Sequence, residues 1–416
     1  MSALYAPWSL RGLVADLAAG RTSPAAAAER SRERIAATDP ELRAWIVPPA
    51  EAPPGEVSRP LGGVPSGVKD IIDVEGLPTR CGSSLRADAA PAEADAAIVA
   101  AWRRAGAVPV GKTVTTEFAY FAPGPTGNPA AVGHTPGGSS SGSAAAVASG
   151  QVPLALGSQT AGSVTRPASF CGVAALVLTH DRLPVDGVTG LSPSLDSHGV
   201  FAAHVDDLAL AFAALTGEPE ADRAGARPPR LLFWPAGSSP VDPEMRKALR
   251  GARDRWTAAG AVVGDLPDPE LVDALTAAHS VVMAAEAAVE RAAEAARADE
   301  LSAPLAELLR RGAATDPADL DAARGVVAEG RARIGDLLAS YDAVVGPAAL
   351  GPAPAGLGAT GDPVLSRPWQ ALGFPALTVP GLSTPDGLPL GVQLIGAPHG
   401  ETALLGTGCW VEARLP

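Results

Sequence analysis

The stretch PGGSSSGSAAAVASG, residues 136–150, is the densest local pattern in the chain and gives the first indication of its fold. Its composition alone favours a flexible Gly/Ser linker. Its position argues against a linker, because it runs directly into a helix of small residues, predicted over 143–149, with apolar segments on both sides. Strands are predicted at 152–156 and 173–178. The small-residue helix therefore lies inside a folded unit, and its composition indicates that another part of the chain packs very close to it.

The sequence on either side continues this alternation of helices and strands, which predicts one domain of the α/β class. On the N-terminal side the pattern predicts two helices within 8–38, a loop at 47–63, a strand at 68–74, a helix at 95–105 and a strand at 107–111. On the C-terminal side it predicts helices at 243–260, 270–298 and 300–340, the last with a break at 312–315, and strands at 342–346, 376–380 and 390–396.

The composition limits the classes of function. The chain has 416 residues, 47% of them hydrophobic, which is enough for a large buried core. Its net charge of −13 argues against nucleic acid or an acidic membrane surface as a generic partner, because both require a basic footprint. We predict no transmembrane helix and no secretory signal. Three scattered cysteines, Cys81, Cys171 and Cys409, favour reduced thiols in a cytoplasmic enzyme.

Several familiar kinds of site fit this chain poorly. The six histidines form no HxH or HxxxH pair, so we expect no metal and no cofactor, and the glycine-rich run lacks the GK[ST] ending of a P-loop. Residues 138–142 match GxSxG with Ser140 as nucleophile, but that motif needs a preceding strand, and 134–137 does not look like one. Residues 66–69 match SxxK, but that motif opens a helix, whereas 68–72 is rich in β-branched residues.

A lysine could replace histidine as the base. The chain has only three lysines, Lys69, Lys112 and Lys247, and Lys69 lies in an apolar, strand-like run. Desolvation there favours the neutral amine, which could activate a serine hydroxyl. A second Ser/Gly cluster at 157–167 supplies a candidate nucleophile, Ser163, and Ser139 of the first cluster could relay the proton between them.

These segments together resemble the amidase signature family. The resemblance covers nearly the whole chain, and the two serines lie 24 residues apart, as the family pattern requires. The segments that carry it are GGVPSGVKDIIDVEGLPTRCGSS (62–84), GKTVTTEF (111–118), NPAAVGHTPGGSSSGSAAAVASG (128–150), LGSQTAGSVTRPASFCGVAAL (156–176), and FPALTVPG and GLPLGVQLIG within 374–396.

The resemblance implies a fold and a set of roles. The fold is a single domain with a central mixed β-sheet covered by helices on both faces. Its parts would be an N-terminal helical segment at about 8–38, a signature core at about 62–210, a helical insertion at about 240–340 and C-terminal strands at about 342–410. The implied catalytic residues are Lys69 as base, Ser139 as bridging serine after a cis peptide bond, and Ser163 as the nucleophile that forms an acyl-enzyme. The implied oxyanion hole consists of Thr160, Ala161 and Gly162, and Gly138 is assigned to substrate binding.

The chain departs from the family pattern in a few positions. Ala161 stands where glycine is usual, so a positive φ there would be strained. Gln159 replaces the commoner aspartate, Val114 an asparagine, and Val177-Leu178 a Lys-Pro pair. Arg166, three residues after the nucleophile, resembles the malonamidase-like branch, in which this arginine binds a substrate carboxylate. Its alternative role is a structural pairing with an aspartate or a carbonyl.

Three functions follow from this pattern. The first is a stand-alone hydrolase of small linear amides, with a small-molecule amide as its partner and no nucleic acid or membrane. The second is the amidase component of a glutamine-dependent amidotransferase, although Gln159 and Arg166 differ from what that branch usually shows. The third is a catalytically silent binding protein on the same scaffold, for which Ala161 is the only hint. The N-terminal helices could form the contact of a homodimer.

Overall fold

One eleven-stranded β-sheet organises the computed structural model, which describes residues 3–47, 57–221 and 227–416. Its order is β1-β3-β2-β4-β6-β5-β10-β11-β9-β7-β8. The strands are β1 (Trp45–Val47), β2 (Pro65–Lys69), β3 (Val108–Thr113), β4 (Leu154–Gln159), β5 (Ala174–Val177), β6 (Ser197–Ala202), β7 (Arg230–Phe233), β8 (Val262–Asp265), β9 (Ala343–Pro347), β10 (Ala376–Ser383) and β11 (Pro389–Ile395). The sheet is mixed: β2 is parallel to β3 and β4, β7 is parallel to β8 and β9, and the other neighbours are antiparallel.

Helices flank this sheet, so the predicted α/β class with a mixed sheet is confirmed. They are α1 (Leu10–Ala18), α2 (Pro24–Leu42), α3 (Ala97–Ala105), α4 (Ser141–Ala148), α5 (Thr165–Cys171), α6 (Val205–Thr216), α7 (Pro243–Ala258), α8 (Pro269–Glu290), α9 (Ala292–Ala295), α10 (Ala303–Ala313), α11 (Pro317–Leu338), α12 (Arg367–Leu372) and α13 (Glu401–Glu412). The two N-terminal helices and the break near 312–315 occur as the sequence predicts, although α2 continues past the predicted limit of 38 to Leu42. The predicted loop at 47–63 falls largely on 48–56, which lie outside the described residues.

Two predicted elements end well before their predicted boundaries. The strand predicted at 68–74 ends at Lys69, because the Lys69 carbonyl accepts hydrogen bonds from the N–H groups of Ile71 and Ile72 and turns the chain. Ile71 and Ile72 are buried, which accounts for their apolar character without a strand. The long helix predicted at 270–298 ends at Glu290, and α9 follows as a separate short helix.

The small-residue helix α4 packs as closely as its composition indicates. All eight of its residues are buried. A Cβ atom at Gly142 would lie 2.3 Å from the Ala44 carbonyl oxygen and 2.4 Å from the Val114 nitrogen. These backbone contacts leave no room for a side chain at this position, and they hold the start of α4, with Ser139 just before it, against the ends of β1 and β3.

Helix α8 is long and apolar. Among the described residues it is the one helix that could cross a membrane by length and composition alone. One such helix is weak evidence for a membrane span, because core helices meet the same criterion. Its buried residues include His279 and Met283, and it packs against α10, α11 and α12.

A buried Lys–Asp pair lies directly behind the end of β2. The Nζ atom of Lys112 on β3 is 3.0 Å from Oδ1 of Asp70, and both side chains are 0% exposed. Lys112 also donates to Thr79 Oγ1 at 2.8 Å, and Asp70 Oδ2 accepts from the N–H of Arg80. Because Asp70 follows Lys69 in the chain, this pair fixes the backbone at the point where the candidate base leaves the sheet.

We expect Lys112→Met to destabilise the protein by about 3–5 kcal/mol, because it leaves a buried carboxyl group without its partner. Urea unfolding at pH 7.5 measures the loss. In the double variant Asp70→Asn/Lys112→Met much of the stability should return, since the unpaired charge is gone. A single variant as stable as the wild type would contradict this account.

Candidate active site

The three candidate catalytic side chains come from three different elements. Lys69 ends β2, Ser139 precedes α4 and Ser163 precedes α5. Nζ of Lys69 lies 2.6 Å from Oγ of Ser139, and the peptide bond before Ser139 is cis. The two serine segments are tied together, since the N–H of Ser140 donates to the Ser163 carbonyl at 3.2 Å. Ser139 and Ser163 line the same small cavity, of about 20 Å³, so the structure brings all three predicted positions to one place.

The environment of Lys69 favours its uncharged form. The side chain is 0% exposed, and this burial lowers the pKa of the amine from its usual 10.5 to about 7. The nearby carboxyl group of Asp196 acts in the opposite direction but does not offset the burial. A substantial fraction of the amine is therefore neutral at physiological pH, as a general base requires.

Ser158, which the sequence analysis did not single out, orients that amine. Besides Ser139, Nζ of Lys69 contacts Ser158 Oγ at 2.9 Å and the Ser158 carbonyl oxygen at 3.3 Å. A neutral primary amine has two N–H donors and one lone pair. When the two oxygens of Ser158 accept the two N–H groups, the lone pair is left for the hydroxyl proton of Ser139.

The residues predicted to form an oxyanion hole line the same cavity. Thr160, Ala161 and Gly162 lie on its wall next to Ser163. Within the described part of the chain, no acceptor takes the backbone N–H groups of Ala161, Gly162 or Ser163. Because buried N–H groups normally have partners, this turn is prepared to donate to an oxygen that enters the cavity.

The strain that a positive φ at Ala161 would cause does not occur. Ala161 is absent from the described non-glycine residues with positive φ, so its backbone suits an L-residue. Gly162 is the position where space is short, because a Cβ atom there would lie 2.8 Å from Cβ of Pro363. The replacement of glycine by alanine therefore falls on the residue of the turn that tolerates it.

The side chain of Gln159 holds the turn at 160–163 in place by hydrogen bonds to the residues that follow it. Its Oε1 accepts from the N–H groups of Val164 and Thr165 at 2.9 and 3.0 Å, at the start of α5. Its Nε2 donates to Oε1 of Gln370 at 2.9 Å, and Nε2 of Gln370 returns a bond to the Gln159 carbonyl. Gln370 is buried and does not line the cavity, so it supports the turn that carries Ser163 from the side of the core.

Arg166 is a buried cation that lacks a full set of partners. It is 4% exposed, and its Nη2 donates to the Gly138 carbonyl at 2.6 Å. Nε and Nη1 have no hydrogen-bond partner in the described structure. Burial lowers the pKa of Arg166 to about 9, so the guanidinium still carries its charge at neutral pH. Arg166 lines the cavity beside Ser163, whereas Gly138 is not among the lining residues and contributes its carbonyl to Arg166.

The other walls of the cavity are mostly apolar. In the loop near the cavity, three residues have positive φ: Phe118, Ala119 and Phe121. Met283 of α8 closes one side. Ser140 is fully buried and is absent from the lining; its hydroxyl group donates to the Ser158 carbonyl at 3.3 Å. The remaining lining residues are Ala119, Tyr120, Phe121, Leu191, Thr360 and Pro363.

Within the described residues, no group of three or more His, Cys, Asp or Glu side chains has an arrangement that could hold a metal ion. Cys81 and Cys171 are buried free thiols, and Cys409 is half-buried.

Comparison with known proteins gives a consistent result. The model of a family described as Amidase matches residues 34–405. The chain is 32% identical to one component of the Glutamyl-tRNA(Gln) amidotransferase of Anaeromyxobacter sp. (strain K), in an alignment that covers 98% of this chain and 96% of that protein. It is also 32% identical to AtzE, one component of the 1-carboxybiuret hydrolase of Pseudomonas sp. (strain ADP), over 95% and 96% of the two chains. Among solved structures, an inhibitor-bound complex described as revealing the origins of an s-triazine catabolic enzyme has a TM-score of 0.86 and 28% identity, covering 98% of this chain and 100% of that one.

Lys69→Met should change how stability depends on pH. The unfolded chain binds a proton at Lys69 up to about pH 10.5, whereas the folded protein loses it near pH 7. The wild-type free energy of unfolding should therefore rise between pH 7 and 10, by up to about 1.4 kcal/mol per pH unit from this residue. The variant should lack that contribution.

Urea unfolding of both proteins at pH 7, 8.5 and 10 measures the difference. Lys247, exposed on α7, provides the control Lys247→Met for the loss of one lysine. Parallel curves for wild type and Lys69→Met would show that the buried amine keeps an ordinary proton affinity.

Proposed function

The chain belongs to the amidase family, and we propose that it hydrolyses a small linear carboxamide through an acyl-enzyme on Ser163, with Ser139 and Lys69 as the proton relay. The single observation that carries this proposal is the 2.6 Å contact between the buried amine of Lys69 and the hydroxyl group of Ser139, which lines the same cavity as Ser163. A neutral amine, two hydroxyl groups and a turn of unpaired N–H groups are the parts that acyl transfer requires.

The proton and the electron pairs balance through both halves of the reaction. Ser163 Oγ attacks the amide carbonyl carbon while its proton passes to Ser139, whose own proton passes to Lys69. The C–N bond then breaks, and the proton returns through Ser139 to the leaving ammonia or amine. Water attacks the resulting ester by the same relay, and the carboxylic acid leaves as Ser163 regains its proton. The N–H groups of Ala161, Gly162 and Ser163 would hold the oxyanion in each half.

We assign a carboxylate-bearing amide as the substrate class. Arg166 faces the cavity with two guanidinium nitrogens unpartnered in the described structure, and a buried cation of this kind is stabilised by an anion. The small cavity and its largely apolar walls favour a short substrate. The substrate named for one relative, the 1-carboxybiuret hydrolase component, also carries a carboxyl group.

Ser163→Ala should lower turnover about 10⁴-fold or more, because the nucleophile is removed while Lys69 and Ser139 remain in contact. Ammonia release from a panel of small amides measures it. A serine-reactive fluorophosphonate should label the wild type at Ser163 and leave Ser163→Ala unlabelled, as mass spectrometry of the modified peptide would show. Ser140→Ala is the matched control and should still be labelled.

Labelling of Ser140, or turnover retained in Ser163→Ala, would refute the assignment. An unlabelled and inactive wild type would instead favour a silent binding protein on this scaffold.

Arg166→Ala should raise KM for a carboxylate-bearing amide about 10- to 100-fold, because a charge-assisted interaction is lost. Two substrates of equal length, one ending in a carboxylate and the other in its methyl ester, separate this effect from damage to the site. The ester should keep its KM within about threefold. An equal rise for both substrates would show that Arg166 acts through the Gly138 carbonyl alone.

A second candidate function is favoured by the 32% identity to a component of a Glutamyl-tRNA(Gln) amidotransferase. In that role the same residues would release ammonia from glutamine for a partner protein. Ammonia release from small amides by the isolated chain supports the hydrolase. Release from glutamine that requires added partner proteins supports the amidotransferase. We propose that the enzyme acts in the cytoplasm, in line with the buried free thiols of Cys81 and Cys171. Its assembly into a homodimer is testable by light scattering.

A further inference from the structure

We propose that His279, on α8, is a positioning residue for the oxyanion turn: it holds the peptide between Thr160 and Ala161 so that the Ala161 N–H points into the cavity. The proposal rests on the proposed acyl-transfer function. It concerns a residue that lies in the helical insertion, outside the segments that carry the family resemblance.

The contact between His279 and the turn is short and completely buried. Nε2 of His279 lies 2.7 Å from the Thr160 carbonyl oxygen, and the side chain is 0% exposed. A carbonyl oxygen can only accept, so Nε2 carries the proton. Nδ1 has no hydrogen-bond partner in the described structure, and burial lowers the pKa of the ring to about 4. The imidazole is therefore neutral at physiological pH and acts as a fixed donor.

The planarity of the peptide group transmits this contact to the cavity. In a trans peptide the C=O of one residue and the N–H of the next point in opposite directions. A donor fixed on the Thr160 carbonyl therefore sets the direction of the Ala161 N–H, which has no acceptor in the described chain. The hydrogen bond also polarises the peptide and makes its N–H a stronger donor.

Further contacts link α8 to the cavity and to the loop beside Thr160. One turn after His279, Met283 lines the cavity. Another turn on, the carboxylate of Glu286 accepts from Ser192 Oγ and from the N–H and hydroxyl of Ser194. The loop held by Glu286 leads into Asp196, which accepts from the Thr160 hydroxyl. Thr160 is thus held by its carbonyl and by its side chain, and both contacts depend on the α8 face.

His279→Leu should lower kcat about 10- to 100-fold for a given amide while KM stays within about threefold, because the oxyanion donor loses its fixed direction. His279→Gln, whose amide N–H can reach the same carbonyl, should recover most of kcat. His279→Asn, which is too short, should not.

His198→Leu is the matched control. His198 is 4% exposed, and its Nε2 lies 2.9 Å from a different carbonyl, that of Pro184. Both leucine variants remove a buried imidazole that bonds to a carbonyl oxygen, and urea unfolding measures the stability that each one loses, but only His279→Leu should lose kcat. Equal kcat in the two leucine variants, or equal kcat in the Gln and Asn variants, would overturn the proposal.

Fluorophosphonate labelling separates this failure from failure of the proposed function. If the wild type is labelled at Ser163 and His279→Leu is labelled at the same rate, the positioning role is wrong and the acyl-enzyme stands. If the wild type is not labelled at Ser163, the proposed function itself fails.

Discussion

Removal of one lysine from water is the constraint on which the rest of the site depends. An exposed lysine is protonated at neutral pH and cannot accept a proton from serine. Lys69 is suited to the proposed role of base because it lies at the end of a strand buried within the sheet, where desolvation brings its pKa to about 7. That burial is unfavourable for the charged amine, so the surrounding structure must offset it. The Lys112–Asp70 pair fixes the backbone directly after Lys69. The hydroxyl and carbonyl oxygens of Ser158 accept hydrogen bonds from the Lys69 amine.

The turn that would bind the oxyanion is stabilised in a different way from Lys69. It must leave N–H groups unpaired, so it cannot be held by an ordinary backbone ladder. The structure holds it through its other atoms: His279 takes the Thr160 carbonyl, Gln159 caps the start of α5, and Pro363 packs against Gly162. Each support comes from a different part of the chain. The open donors are therefore maintained by the tertiary structure of the whole domain and not by the signature segment alone.

The sequence predicts one half of this site much better than the other. Lys69, Ser139 and Ser163 could be proposed because a base, a relay and a nucleophile must be particular residue types, and their segments resemble a family. Ser158 and His279 could not, because their contacts are with backbone atoms or with residues distant in sequence, which leave no local pattern. Ser158 adjoins Lys69 only because β2 and β4 pair with Val68 opposite Leu156. The extension of the strand to residue 74 is wrong for a related reason: Ile71 and Ile72 have the composition of a strand, but their burial comes from a turn.

The positive charge of Arg166 in the site is opposite in sign to the net charge of the whole chain. The chain carries a net charge of −13, so at long range it repels a carboxylate. In physiological salt that field decays over about 8 Å, so it has little influence inside a closed cavity. The guanidinium of Arg166, desolvated and only partly satisfied by the Gly138 carbonyl, acts over contact distances where screening is weak. Selection for an anionic amide would therefore arise after entry, from one buried cation, and would depend little on ionic strength. The same cation sits three residues from the nucleophile on the first turn of α5, so a carboxylate bound there fixes the position of the amide relative to Ser163.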